Sequence, residues 1–217
     1  MTALLPLAFD LRAARVGIVG RGRQALNRLR LVTEAGVRDI AVWSDAPSPE
    51  LAEAASRWIR PRLPNPGEIA GVKLLFVGDF SEDEAGALAA TARRIGVIVN
   101  VEDIPRLCDV HVPAIVRRGD LTLTVSTRGA APGLAARIRR DLEHRFGPEW
   151  EGRVAEIATL RAELRRQGLP PERVASAITA TVAARGWLGD PPAHRWGEEE
   201  VRAADGSVPV WPTLCAG

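Results

Sequence analysis

The sequence has few cysteines, a single lysine and no long apolar run. Cys108 and Cys215 lie far apart and match neither a disulfide framework nor a metal-binding spacing. Their scarcity predicts a reducing, cytoplasmic setting. No apolar stretch approaches the roughly 20 residues of a membrane helix, and residues 1–14 lack the basic leader of a signal peptide. These features argue against secreted disulfide scaffolds and membrane proteins.

The net charge is also small. A formal charge of +2 does not by itself predict nucleic-acid binding, and no basic helix or arm stands out. Lys73 is the only lysine, so nearly all the cationic charge is arginine, which suits bidentate contact with carboxylates. With 217 residues, 46% of them hydrophobic, the chain can form one ordinary domain and an appended module.

The most informative stretch is a strand, a glycine turn and a helix within residues 15–35. The apolar run VGIV leads into Gly20-Arg-Gly22-Arg-Gln-Ala25, and leucines at helical spacing follow. In a dinucleotide-binding βα unit, Gly20 permits the sharp turn, Gly22 keeps a Cβ away from the pyrophosphate, and Ala25 allows close packing. The helix N-terminus would bind the phosphates. A purely structural glycine turn is the alternative, because this motif alone is weak.

Apolar strands and helices alternate after this unit. Strands are predicted at 40–43, 72–77 and 97–101, and helices at 48–60 and 81–94. The alternation predicts an α/β fold, a Rossmann-type parallel sheet that binds its ligand at the carboxyl ends of the strands. The residues expected to bind the cofactor, NAD, are Gly20, Gly22, Arg23, Gln24, Ala25, Asp45, Ala46, Gly78, Asp79, Asn100 and Val101.

Asp45 follows the second predicted strand and has two interpretations. It could accept hydrogen bonds from the adenosine ribose, and it would then repel a 2′-phosphate and favour NAD over NADP. It could instead cap the helix that begins near Ser48.

Beyond residue 110 the alternation ends. Strands at 110–117 and 121–127 predict an antiparallel hairpin, and helices are expected at 133–146, 149–167 and 171–185. The tail from residue 187 is predicted to be irregular, although Trp187, Trp196 and Trp211 suggest that parts of it pack against another surface.

Four segments occur in the order LPLAFDL, GIVGRGRQA, VIVNVEDIPRLCD and VPAIVRRGDLTLTVSTRGAAPGLAARIRRDLE. Over residues 4–185 the chain thereby resembles the siroheme synthase amino-terminal domain family. That family comprises precorrin-2 dehydrogenases, some of which are also sirohydrochlorin ferrochelatases. The resemblance implies a homodimer in which NAD accepts a hydride from precorrin-2. It also implies an NAD-binding Rossmann domain at 1–112, a dimerisation hairpin and helix at 113–147, a helical domain at 148–186 and the tail at 187–217.

The resemblance also assigns site residues. The family's Asn-Val-x-Asp motif falls on Asn100 to Asp103, so Asp103 is the expected catalytic residue, which takes a proton from the macrocycle. In bifunctional members the same carboxylate could collect pyrrole protons during iron insertion. Precorrin-2 carries eight carboxylates, which guanidinium groups would bind. The expected substrate-binding residues are Arg117, Arg118, Thr127, Arg128 and Arg137.

Other interpretations stay open. His111 could be an iron ligand or a proton shuttle, or a packed residue between two valines, and no cluster has a recognised metal-site spacing. Gly78-Asp79-Phe80 replaces the family's usual small-Thr-Asp, and Ala85 lies near the position of a usual Asn. These departures leave room for a non-catalytic NAD- or tetrapyrrole-binding protein, or for an NAD-dependent enzyme with another acidic substrate.

Overall fold

The computed structural model describes residues 4–189, which form two compact units. The first unit comprises residues up to 114 together with 124–138, and the second comprises 115–123 and the residues from 139 onward. In chain order the elements are β1 (Val16–Val19), α1 (Arg23–Glu34), β2 (Ile40–Trp43), α2 (Pro49–Ala54), β3 (Ile59–Arg60), α3 (Pro66–Ile69), β4 (Leu74–Val77), α4 (Glu82–Arg94), β5 (Ile98–Val101), β6 (Ala114–Arg118), β7 (Leu121–Val125), α5 (Pro132–Arg145), α6 (Trp150–Arg166) and α7 (Pro171–Ala184).

The first unit contains a five-stranded parallel sheet in the order β3-β2-β1-β4-β5. Every residue of β1, β2 and β4 is buried, as expected for strands that are covered on both faces. The strand order reverses between β1 and β4, which is where ligands bind in open α/β sheets. The predicted Rossmann-type sheet is therefore confirmed.

Alternation along each strand divides the core into two layers. Ile18 and Phe76 pack with the apolar face of α1, whereas Val19 and Val77 pack on the opposite face of the sheet with α4. The side chains that α1 and α4 contribute to these layers are Ala25, Leu26, Leu29 and Val32, and Ala85, Ala89 and Ala92, respectively.

The predicted start of the helix at Ser81 is confirmed in detail. The Ser81 hydroxyl accepts a hydrogen bond from the Glu84 N–H at 3.4 Å, and the Glu84 carboxylate accepts one from the Ser81 N–H at 3.0 Å. This reciprocal capping satisfies two N–H groups at the start of α4.

The predicted helix over 48–60 is wrong beyond its first half. Helix α2 ends at Ala54, and Ile59–Arg60 instead forms an edge strand beside β2. The Val42 N–H donates to the Trp58 carbonyl at 3.2 Å, and the Ser44 N–H donates to the Arg60 carbonyl at 3.1 Å. Pairing with a distant strand therefore overrides the local helical pattern.

The predicted hairpin is confirmed as the two-stranded sheet β6-β7, whose strands are joined by Gly119 and Asp120. Gly119 has a φ of 55°, and a Cβ there would lie 2.8 Å from Cγ of Glu151. The left-handed backbone conformation therefore favours glycine, and a larger residue would also have to displace the exposed Glu151 side chain.

The second unit contains an aromatic cluster next to α6. The rings of Phe146 and Trp150 have centroids 4.9 Å apart, and Trp187 lies 6.5 Å from Trp150. Trp187 thus packs against the fold as predicted, while residues 190–217 of the predicted irregular tail, including Trp196 and Trp211, lie outside the described residues. Among helices within 4–189, none has the length and apolarity to cross a membrane. The four-part domain division with boundaries at 112, 147 and 186 stays a prediction.

Candidate dinucleotide-binding site

The segments that follow β1, β2, β4 and β5 lie at the same edge of the parallel sheet. Hydrogen bonds connect them: Arg21 contacts Asp45, and Asp79 contacts the first turn of α1. Gln24 in addition contacts Asp103. The structure therefore brings together the four segments that contain the residues predicted to bind the cofactor.

The N-terminus of α1 forms an anion-binding cradle, which we define as the backbone N–H groups of Gly22, Gln24 and Ala25. These groups donate to the carboxylate of Asp79 over 2.8, 3.0 and 3.0 Å. The first N–H groups of a helix have no partner within the helix and lie at the positive end of its dipole, so they bind anions well. The cradle has the donor set that a phosphate requires, and the anion that it holds is Asp79.

Gly20 and Gly22 are needed for different reasons. A Cβ on Gly20 would lie 2.5 Å from the Ala25 Cβ and 2.8 Å from the Gly78 carbonyl oxygen, so glycine is required there by close packing. The sequence-based reason, a sharp turn at Gly20, is not the main one, because the φ of Gly20 is not in the left-handed region. A Cβ on Gly22 would first meet the Asp79 carboxylate, at 3.4 Å. It would therefore project toward the anion that the cradle holds.

Gln24 links the cradle to Asp103. Its Oε1 accepts the Asp79 N–H at 2.5 Å, and its Nε2 donates to Oδ2 of Asp103 at 2.7 Å. The backbone N–H can only donate, which orients the amide and leaves Nε2 for Asp103. Asp79 and Asp103 have φ values of 63° and 59°, a conformation that is uncommon outside glycine and often found at functional sites.

Arg21 orients Asp45. Its Nε and Nη2 donate to the two Asp45 oxygens at 2.8 and 2.9 Å, and Nη2 also lies 3.0 Å from Glu84. The Arg21 guanidinium holds the pKa of Asp45 below its usual range, and the two carboxylates raise the pKa of Arg21. The alternative that Asp45 caps the following helix is wrong, because Ser48 is the N-cap and accepts the Leu51 N–H at 3.3 Å.

Residues of the Asn100–Asp103 motif make internal contacts that the sequence did not predict. The buried Asn100 donates through Nδ2 to the Val110 carbonyl at 2.9 Å, which holds the segment after β5. Glu102 forms an ion pair with Arg28 of α1. Burial lowers the pKa of Arg28. The presence of Glu102 in the motif and of arginines in α1 is the sequence signal that could have suggested this ion pair.

The remaining predicted cofactor residues lie around the same edge. Arg23 is exposed at the start of α1, Ala46 is exposed after Asp45, and Gly78 and Val101 are buried at the ends of β4 and β5. The Val101 N–H contacts Sγ of Cys108 at 3.2 Å, and burial raises the pKa of the Cys108 thiol. The cofactor-binding roles of Arg23, Ala46, Gly78 and Val101 stay predictions.

The predicted substrate-binding residues are divided between the two units. Thr127, Arg128 and Arg137 belong to the first unit, and Arg117 and Arg118 to the second. Thr127 accepts the Ala131 N–H at 3.2 Å, and Arg118 donates to the carbonyl oxygens of Arg117 and Glu143. Within residues 4–189, no group of three or more His, Cys, Asp or Glu side chains is arranged to hold a metal ion.

The fold, the glycine turn and the cradle define a Rossmann-type dinucleotide-binding protein. A family model described as "Putative NAD(P)-binding" matches residues 7–114, and one described as "Sirohaem biosynthesis protein central" matches residues 118–145. The chain belongs to the siroheme synthase amino-terminal family. The first match confirms the predicted nicotinamide dinucleotide cofactor.

Similar proteins agree with this assignment. Siroheme synthase of Methylococcus capsulatus strain Bath is 35% identical over 171 residues, which are 78% of this chain and 36% of that protein. Siroheme synthase of Pseudomonas fluorescens SBW25 is 36% identical over 171 residues, which are 77% of this chain and 36% of that protein. The chain thus spans about a third of the length of these relatives. The solved structure of SirC, precorrin-2 dehydrogenase, has a TM-score of 0.67 and 21% identity, covers 86% of this chain and 93% of that one, and shows the same fold.

Proposed function

We propose that the chain catalyses the NAD-dependent oxidation of precorrin-2 to sirohydrochlorin. The observation that carries this proposal is the continuous contact from the cradle through Gln24 to the Asp103 carboxylate. A phosphate-binding element and a proton acceptor therefore lie at one sheet edge. Membership of the siroheme synthase family supports the tetrapyrrole substrate.

In this proposal each residue has one task. NAD, when bound, accepts a hydride from the macrocycle. The cradle binds the phosphates, and Asp45, held by Arg21, accepts a hydrogen bond from the ribose. Asp103 takes the proton that the macrocycle loses, and because Asp103 is exposed it can pass that proton to water. The hydride and the proton together account for the two hydrogens removed.

The charges around Arg21 support a preference for NAD over NADP. Asp45 and Glu84 contribute two negative charges and Arg21 one positive charge, which leaves this group with a net charge of −1. A 2′-phosphate would be repelled there, whereas a ribose hydroxyl can donate to a carboxylate. We therefore expect a lower dissociation constant for NAD than for NADP.

The proposal extends to the substrate contacts, the assembly and the location. Arg117, Arg118, Thr127, Arg128 and Arg137 are proposed to bind the substrate carboxylates, since guanidinium groups pair with carboxylates bidentately. The family resemblance supports a homodimer, and sedimentation equilibrium would measure it. The scarcity of cysteine supports a cytoplasmic location.

The decisive assay incubates the purified chain with precorrin-2 and NAD and follows the absorbance of sirohydrochlorin. Turnover with NAD, and less with NADP, is the expected result. Tight NAD binding without turnover would favour a non-catalytic NAD- or tetrapyrrole-binding protein. Turnover of another acidic substrate in place of precorrin-2 would favour an NAD-dependent enzyme with a different substrate. Adding ferrous iron to the same mixture tests chelation, which the resemblance associates with some members.

Gln24 is proposed to position Asp103. Gln24→Met removes both hydrogen bonds and should lower kcat by about 10- to 100-fold, because small displacements of reacting groups are costly. The KM for precorrin-2 should stay nearly unchanged, because the change displaces the proton acceptor and removes no contact proposed for the substrate. Asn27→Ala, on an exposed site of the same helix, is the matched control. An unaltered kcat in Gln24→Met would contradict the positioning role.

A further inference from the structure

The cradle at the start of α1 already holds an anion from the chain itself. Asp79 follows β4, the strand next to β1, and both of its carboxylate oxygens accept backbone N–H groups of the cradle. Hydrogen bonds to an ionised acceptor are about twice as strong as those between neutral groups. The Asp79 carboxylate therefore occupies the position that the proposed function gives to the coenzyme phosphates.

Two anions cannot use the same donors. Each cradle N–H carries one hydrogen and already donates to Asp79, so a phosphate can bind only when that carboxylate leaves. A carboxylate that stayed beside the phosphates would also repel them. We propose that Asp79 is an internal competitor that sets the affinity of the coenzyme. This inference rests on the proposed function, because it takes the cradle as the coenzyme site.

The local geometry allows the carboxylate to leave without unfolding. Asp79 is only half-buried, and its backbone N–H is bound separately by Oε1 of Gln24. Rotation about the Cα–Cβ bond therefore frees the cradle and does not break the bond to Gln24. Part of the coenzyme binding energy is then used to displace the Asp79 carboxylate from the cradle, and the observed affinity for the coenzyme is lower by that amount.

The test compares Asp79→Asn and Asp79→Gly with the unchanged chain. Asparagine has nearly the same shape without the charge, and both replacements tolerate the left-handed φ of 63°. Calorimetric titration with NAD should show a dissociation constant lower by on the order of tenfold in each variant. The Tm of coenzyme-free Asp79→Asn should fall by about 2–4 °C, since the cradle loses its charged acceptor. Asp83→Asn, at an exposed site on the first turn of α4, controls for the change in net charge.

The outcomes separate this inference from the proposed function. Tighter NAD binding together with a lower Tm in Asp79→Asn supports the role of Asp79 as a competitor. If Asp79 were merely structural, its replacement would lower both the Tm and the affinity for NAD. Unchanged or weaker binding in the folded variants overturns it and leaves the proposed function standing. An absence of NAD binding by the unchanged chain and by both variants overturns both.

A measurement on the unchanged chain does not depend on the folding of a variant. The ¹³C resonance of the Asp79 carboxylate should move when NAD is added, because the group leaves three N–H donors. A resonance that stays in place at saturating NAD would also overturn the inference.

Discussion

Asp103→Asn should lower the rate of precorrin-2 oxidation by about 10²- to 10⁴-fold, the usual contribution of a general base. The amide cannot take the proton that the macrocycle releases. Asparagine tolerates the left-handed φ of 59°, so the fold should be retained. NAD affinity should be unchanged, because the cradle contacts do not include Asp103. Single-turnover kinetics with precorrin-2, together with calorimetric NAD titration, measure the two quantities.

Asp83→Asn is the matched control for this variant, since it removes one carboxylate from an exposed site on α4. It should retain full turnover. If Asp103→Asn oxidised precorrin-2 as fast as the unchanged chain, the proton-accepting role of Asp103 would be excluded, and the dehydrogenase proposal would need another base.

Gly20→Ala should lower the stability of the fold, whereas Gly22→Ala should lower the affinity for NAD. At Gly20 the new methyl group would meet the Gly78 carbonyl oxygen at 2.8 Å and the Ala25 methyl at 2.5 Å. Neither neighbour can move without shifting β4 or α1, so the free energy of unfolding should fall by about 3 kcal/mol. Urea denaturation followed by circular dichroism would measure this loss.

At Gly22 the nearest atom to the new methyl group is an Asp79 carboxylate oxygen at 3.4 Å, an ordinary contact distance. The fold should therefore remain while the cradle narrows, and NAD affinity should fall by roughly 10- to 100-fold, or about 1.4–2.8 kcal/mol. Gly86→Ala, on α4, serves as a control because a Cβ there has no neighbour within 4 Å. A Gly22→Ala protein that bound NAD normally would contradict the assignment of the cradle as the phosphate site.

Much of the fold could be predicted because its signals are local. The glycine turn, the apolar strands and the Ser81 cap each depend on residues within a few positions of one another, and all are present in the structure. The extent of α2 could not be predicted in this way. Ile59 and Arg60 have a sequence compatible with a helix, and their pairing with β2 decides that they form a strand.

The same distinction applies to the candidate site. The sequence alone indicated which strand ends would meet, and it singled out Gly20, Gly22 and Asp103 from their motifs. It did not indicate that the Asp79 carboxylate fills the cradle, or that Gln24 holds Asp103, because these contacts join residues 55 and 79 positions apart. Contacts of this kind depend on which strands become neighbours and in what register.

The sequence by itself determined the alternation of strands and helices and the glycine-lined helix start, since periodicity and motif spacing are properties of the chain alone. Its resemblance in four segments indicated the family. Only the tertiary structure decided what occupies the helix start. The placement of β4 beside β1 brings Asp79 to the free N–H groups of α1, and a carboxylate within hydrogen-bonding distance of such donors binds them.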